Sequence, residues 1–296
     1  MELRHLRCFV VLGEELNFTH AAERLHIEQS PLSRTIKELE EDLGVVLFDR
    51  NRRGTRLTAA GTVYLDEVRR VLALLEQAGE NVRAIATGYR GSLRIAISDG
   101  AIDPRLSEIL ARFREDAPEI EIRICEVPLQ EQLRGLRAGD FRAGFAHTAN
   151  VGDGICAEPV WRDTLLAAIP THHPLLAYKE IPLEELARYP LVMCDPQTYE
   201  GCSRELTLLL RTLEQDLKVV EHVRSSDMML TLVSAGYGVG FTSTTRMALC
   251  KHPDIVVRPL ASESAVLTTY LLHLAGNEPC VALQQFLTYL HAHPDS

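Results

Sequence analysis

Apolar residues recur at helical spacing over residues 1–88 and give way to strand-like runs beyond them. Leu6, Phe9 and Val10 predict a first helix, and Thr19 is the expected N-cap of a second whose Ala22 and Leu25 face inward. A third helix is expected to start with Ser30 as N-cap and Pro31 at its first position, to bury Leu32, Ile36, Leu39 and Leu43, and to stop at Gly44. Two short helices joined by about four to five residues have helix-turn-helix dimensions. The apolar pieces Val45–Phe48 and Thr55–Leu57 flank Asp49–Gly54, which predicts a β-hairpin with a basic tip, or wing.

Thr58 is placed to cap a helix reaching to about residue 87, along which Tyr64, Val68, Val71, Leu75, Ala78, Val82 and Ile85 alternate steps of four and three. So long and narrow a stripe predicts a dimerisation helix. The alternative is a helix lying on its own C-terminal domain. Gly88–Ser92 reads as a hinge. Strands and helices then alternate: Leu93–Ser98, helix Pro104–Asp116, Ile120–Glu126, helix Leu129–Ala138, Ala143–His147, Thr164–Ile169, Leu191–Cys194, helix Arg204–Gln215, Val219–Val223, helix Asp227–Ala235, Val239–Thr242 and a closing helix Cys280–His291. Such alternation implies βαβ units and mostly parallel sheets in two small lobes. The expected domains are 1–57, a linker helix 58–88, and 89–296, with lobe I at about 89–162 and 267–296 and lobe II at about 163–266.

Composition restrains the function. Of 296 residues 46% are hydrophobic and 24% charged, an ordinary globular balance, and the net charge is −10. That charge argues against a polyanionic partner until it is divided: residues 1–88 hold 12 Lys/Arg against 14 Asp/Glu, a net of only −2. The early residues carry charges where an export signal needs an apolar stretch, and no long apolar run follows, so a soluble cytoplasmic protein with no membrane partner is expected. Seven scattered cysteines without a CxxC pair indicate neither a disulfide framework nor a zinc site. No cofactor is implied.

Chemistry gathers in two places. Arg50, Arg52, Arg53 and Arg56 on a hairpin suit phosphate contacts and a narrow minor groove. Directly before them, the third helix is placed to enter the major groove, exposing Gln29, Ser30, Pro31, Ser33, Arg34 and Lys37. Arg34 can donate a bidentate pair to guanine and Gln29 can read adenine, while Thr19, Ser30 and Ser33 can hydrogen-bond phosphates. In the α/β part, ligands are expected beyond strand ends and at helix N-termini, which selects Ser98, Asp99 and Gly100, then His147, Cys202 and Ser203, and Ser226. Free amides there favour a carboxylate, although Asp99 would repel one unless a cation offset it. Gly236–Gly240 follows a helix and enters a strand, the reverse of a dinucleotide fingerprint, and His172-His173 reads as a loop. No catalytic set is visible, so an enzyme is not indicated.

The blocks Met1–Phe9, Asn17–His26, Gln29–Arg34, Leu43–Arg50 and Leu57–Gly61 resemble, in order and spacing, the LysR-type transcriptional regulators. The resemblance is highly specific over residues 1–65 and looser over the rest. It implies an α/β chain with an all-α-type DNA-binding part: a winged helix-turn-helix, a dimerising linker helix, and an effector domain of two Rossmann-like lobes similar to periplasmic solute-binding proteins. It also implies an activator or repressor that binds double-stranded promoter DNA, answers a small inducer and assembles as a homodimer and then a homotetramer, with RNA polymerase as a further candidate partner. Members answering small carboxylates carry a polar residue shortly after the Glu of the second strand, where Leu129 or Gln130 stands here. Gly201–Glu205 resembles the reactive-cysteine region of peroxide-sensing members, which makes a redox sensor at Cys202 an alternative, but Arg211 occupies the place of the resolving cysteine. A solute-binding module without DNA binding is the alternative of another class.

Overall fold

In the computed structural model the described residues are 1–51, 54–86, 91–211, 213, 217–250, 252–276 and 280–292. They separate into two compact units, one built on Met1–Arg83 and the other on most of 84–296.

The first unit opens with α1 (Leu3–Glu15), α2 (Phe18–Arg24) and α3 (Gln29–Leu43). Their inward stripes meet in a core of Leu6, Phe9, Leu12, Ala22, Leu32, Ile36 and Leu39. Two capping expectations are corrected. Asn17, not Thr19, caps α2, its carboxamide oxygen accepting the Thr19 and His20 amides. Ser30 is likewise not a cap, because α3 begins two residues earlier than expected, with Glu28 at the N-cap position and no side-chain bond there. Gly44 ends α3 at φ +67°, a left-handed conformation that glycine adopts without a Cβ clash.

The hairpin strands are β1 (Phe48–Asn51) and β2 (Gly54–Leu57), antiparallel, and β1 starts three residues later than the apolar pattern suggests, β2 one residue earlier. Val45 and Val46 are exposed, whereas Leu47 and Phe48 enter the core. Glu40 fixes that switch, since one carboxylate oxygen accepts both the Leu47 and Phe48 amides, at 2.8 and 3.0 Å. Thr58 caps the next helix, α4 (Ala59–Ala86), through a bond from the Gly61 amide at 2.9 Å.

The stripe on α4 divides. Val68 is 3% exposed and Tyr64 packs against Phe9 at 5.1 Å, so both belong to the helix-turn-helix core. Beyond them Val71, Leu75 and Val82 are 49%, 44% and 67% exposed. An unpartnered seam therefore begins at Val71.

The second unit contains β3 (Gly91–Ile97), α5 (Pro104–Asp116), β4 (Ile120–Glu126), α6 (Leu129–Ala138), β5 (Ala143–Ala146), β6 (Ile155–Pro170), α7 (Leu183–Leu186), β7 (Leu191–Cys194), α8 (Glu200–Leu210), β8 (Val219–Val223), α9 (Ser226–Ser234), β9 (Gly240–Ser243), α10 (Thr244–Leu249), β10 (Ile255–Pro259), β11 (Val266–Leu274) and α11 (Val281–His291). The sheets are mixed rather than mostly parallel. β3 pairs in parallel with β4 and β5, and β7 with β8, but β6 runs antiparallel to β9, β10 and β11, and β11 antiparallel to β5. Sequence reading saw only the second half of β6 and neither β10 nor β11.

Two lobes follow from where side chains pack. Lobe I is filled by Leu93, Ile95, Phe113, Phe145, Trp161, Leu271 and Phe286 on one sheet face and by Ala96, Leu129, Leu136 and Leu272 on the other. Lobe II is filled by Leu165, Ile169, Leu186, Leu206 and Phe241, and by Val192, Met229, Leu230 and Val233. β6 contributes to both lobes.

Candidate nucleic-acid interface and effector cleft

Burial of Leu32, Ile36 and Leu39 turns the opposite face of α3 to solvent, where Gln29, Ser30, Pro31, Arg34 and Lys37 are exposed and Ser33 is half-buried. Arg34 pairs with Glu38 at 3.0 Å and Lys37 with Glu41 at 3.4 Å, each one turn along the helix. Exposed pairs of this kind contribute only about 0.3–0.5 kcal/mol, so both cations can exchange their partners for nucleic acid. Thr19 is exposed at the start of α2, and neither its hydroxyl nor that of Ser30 is used as a cap.

Arg50 lies on β1, not in the turn. Its guanidinium is 3.2 Å from Ser33 Oγ, 3.7 Å from Glu40 and 4.5 Å above the Phe18 ring. It thus braces the hairpin against α3. The wing arginines Arg52 and Arg53 lie outside the described residues. Sequence reasoning missed Glu40, whose spacing to Leu47 gives no signal until the hairpin folds back.

In the second unit the turn after β3, the end of β5 and the start of α8 converge. Asp99 is buried at φ +58°, and its Oδ1 accepts the Gly201 amide at 3.0 Å, while the His147 amide and the Ser98 hydroxyl also act on the carboxylate. Burial raises its pKa to about 6 against those bonds, and nearby Glu200 adds to the rise. A Cβ at Gly201 would stand 2.4 Å from Asp99 Oδ2, so only glycine permits this approach. The expected anion site at the start of α8 is therefore filled by the protein's own carboxylate.

The other expected residues separate. The His147 ring turns toward β11, with Nδ1 near the Thr268 carbonyl and Thr269 hydroxyl, and burial lowers its pKa to about 4, which keeps it neutral. Gly100, at φ +64°, lies under the Tyr199 ring, 3.1 Å from where its Cβ would be. The Ser226 amide and hydroxyl act on the Tyr199 hydroxyl, so Tyr199, which the sequence reading did not single out, joins the two turns. Ser203 sits half-buried on α8. Leu129 is corrected: it is 1% exposed in the lobe I core, and its neighbour Gln130 instead reaches across to both Glu200 oxygens, at 2.9 and 3.0 Å.

Cys202 packs against the lobe II core, and burial pushes its thiol far up, with Cys194, Asp99 and Glu205 adding to the rise. Arg204, two residues on, is paired with Glu200. Cys194 is raised to about 11 by its own burial. Burial thus favours the neutral thiol at both, the opposite of the thiolate a reactive cysteine needs. A cavity of about 270 Å³ opens between Glu205, Leu208, Ser262 and Val266, and none of the expected effector residues lines it.

A polar recognition helix with a hairpin beside it, followed by a long helix and a two-lobed α/β unit, defines a DNA-binding transcriptional regulator with an effector-binding domain. Residues 3–62 match the profile described as bacterial regulatory helix-turn-helix protein, lysR family, and residues 86–295 match the LysR substrate binding domain. The chain belongs to the LysR family, a family of transcriptional regulators and not of enzymes. It is 32% identical over 293 residues to the uncharacterized HTH-type transcriptional regulator YnfL of Escherichia coli, covering 98% of each chain. It is 30% identical to the HTH-type transcriptional regulator AlsR of Bacillus subtilis, over 84% of this chain and 82% of that one. The crystal structure of CbnR, a LysR family transcriptional regulator, superposes with TM-score 0.69 at 25% identity over the whole of both chains. CbnR complexed with its target DNA gives 0.68 at 26% identity, covering 99% of each chain. The helix-turn-helix match overturns the alternative of a solute-binding module without DNA binding. Among the described residues no helix is long and apolar enough to cross a membrane.

Proposed function

We propose that this regulator reads its operator with Gln29, Arg34 and Lys37 on the exposed face of α3 in the major groove, that Thr19, Ser30, Pro31, Ser33 and the hairpin arginines Arg50, Arg52 and Arg53 lie along the backbone, and that its inducer is a small organic acid taken into the cleft between the lobes. The observation that carries the DNA reading is the exposed polar face of α3 opposite the buried Leu32, Ile36 and Leu39. Promoter DNA places this work in the cytoplasm. The exposed seam Val71, Leu75 and Val82 supports a homodimer through α4, with a homotetramer as the full assembly and RNA polymerase as a further partner.

For the inducer, the support is Asp99. Its carboxylate rests on the Gly201 and His147 amides, which is how an external carboxylate would be held. An organic acid would compete for those amides as Asp99 takes up a proton or swings aside, with Ser98, Gly100, Gln130 and Ser226 as the further residues proposed to contact it. Cys202 and Ser203 contribute the following turn of α8. Titration calorimetry of wild type and Asp99→Asn with a panel of carboxylates and matched amines tests this. Tighter carboxylate binding by Asp99→Asn is expected, and binding of amines alone, lost in that variant, would overturn it. The domain reading 1–57, 58–88 and 89–296 is tested by whether residues 89–296 alone bind the same ligand.

A further inference from the structure

A second group of side chains lies on the lobe I face that α11 covers. In the β6–β11 ladder Cys156 is directly opposite His273, and Glu158 is opposite Leu271, so strand alternation puts all four on one face. Leu271 packs with Phe286 and Leu290 of α11. The last residue of that helix, His291, brings Nε2 to 3.6 Å from Glu158 Oε2. One donor atom each from Cys156, Glu158 and His273 lies within 4.8 Å of the others.

His273 supplies an independent observation. Its Nδ1 is 3.1 Å from the Leu274 carbonyl oxygen and its Nε2 is 3.0 Å from Glu158 Oε1. A neutral ring donates from only one nitrogen, yet both face oxygen acceptors. With Nδ1–H held by the carbonyl, the Nε2 lone pair points at a carboxylate, and a positive centre between them resolves the conflict. A backbone carbonyl fixing the tautomer of a histidine is also the usual support of a metal-ligating imidazole.

We propose that Cys156, Glu158 and His273, with His291 as the fourth donor, bind a divalent zinc-class metal ion that clamps α11 to the β6–β11 ladder. Thiolate, imidazole and carboxylate together select Zn²⁺ over Mg²⁺ or Ca²⁺, which take all-oxygen sets. Tetrahedral zinc bonds place donors about 3.5 Å apart, a spacing that the 4.8 Å group of Cys156, Glu158 and His273 approaches, with His291 reaching it from the Glu158 side. Binding releases the Cys156 thiol proton to solvent, and one thiolate with one carboxylate neutralises the ion.

The test uses full-length protein stripped with chelator and titrated with Co²⁺, then with Zn²⁺. The expected result is about one equivalent of Co²⁺ with tetrahedral visible bands and a near-ultraviolet thiolate band, displaced by Zn²⁺. Cys156→Ser abolishes the thiolate band, and Glu158→Gln and His273→Gln weaken Co²⁺ binding at least tenfold. Zn²⁺ also raises the Tm of the wild type by about 5 °C at a hundredfold excess over Kd, but not that of Cys156→Ser. His291→Ala, at an exposed helix end, keeps the fold and weakens binding in the same direction. The proposal is overturned by an absent thiolate band, by a band that survives Cys156→Ser, or by Co²⁺ affinity unchanged in His291→Ala and Glu158→Gln. The first outcome leaves an imidazolium–carboxylate pair as the account of His273.

Discussion

Asp99 accepts the amide of Gly201 at 3.0 Å across 102 residues of chain, and so ties the turn that ends β3 in lobe I to the first turn of α8 in lobe II. The carboxylate is buried and raised to about 6, while His147 beside it is buried and lowered to about 4. The two make opposite contributions to stability in overlapping ranges of pH.

For Asp99 the folded state holds its proton more tightly than the unfolded state, so its contribution is present below about pH 4 and is lost as pH rises through about 6. His147 is the reverse, because its folded pKa lies below that of the free ring and its contribution grows as pH rises from about 4 toward 6.5. Asp99→Asn removes the first and leaves the second. Urea unfolding at pH 4.5 and 7.5 should show Asp99→Asn gaining about 2 kcal/mol relative to wild type at the higher pH. Parallel profiles for the two proteins would sink this assignment.

Gly201→Ala pushes a methyl into Asp99, 2.4 Å from Oδ2. The expected cost is about 1–3 kcal/mol, with accelerated amide exchange at residues 98–100 and 199–203. Exchange unaltered there would show that the turn and α8 are not coupled.

If Arg34 reads a base as proposed, Arg34→Ala should weaken operator binding by about 1–3 kcal/mol while relaxing preference at one base pair. Arg53→Ala should weaken all sequences alike and lower the salt slope by about 1. Shift assays on operator and scrambled DNA at several salt concentrations separate the two. The same loss of discrimination in both variants would refute the division.

Glu40→Ala leaves the Leu47 and Phe48 amides without their acceptor in a region where both residues are 2% exposed. A loss of about 2 kcal/mol is expected, with Glu40→Gln recovering part of it through its remaining carbonyl oxygen. Thermal unfolding checks both variants, and equal Tm values for wild type and Glu40→Ala would contradict it.

Val71→Asp, Leu75→Asp and Val82→Asp should dissociate the oligomer without unfolding it, because all three side chains are exposed in the single chain. Val68→Ala should lower stability and leave the oligomer intact, since Val68 is 3% exposed in the helix-turn-helix core. Sedimentation velocity distinguishes these outcomes.

What could be read in the sequence depended on the range of the interaction. The helix α5, the strand β4 and the helix α6 were legible residue by residue, because local apolar periodicity and an Asp103-Pro104 start define them. The caps of α2 and α3 were displaced because several candidates stood side by side and geometry chose among them. The first half of β6, together with β11, was not legible, since Glu158, Arg162 and Asp163 interrupt the alternation and the pairing partner lies about a hundred residues away. The same distance hid Asp99–Gly201 and the group around His273, which exist only once the register is set.

Residues Ile155–Pro170 form one unbroken strand whose early residues are laddered to β11 and whose last residues are laddered to β9 and β10. Lobes that share such a beam do not open like jaws on slack tethers. The ladder slips register once, beside Val160 and between Thr269 and Tyr270, so a movement imposed on one lobe reaches the other along a rod that carries one irregular joint.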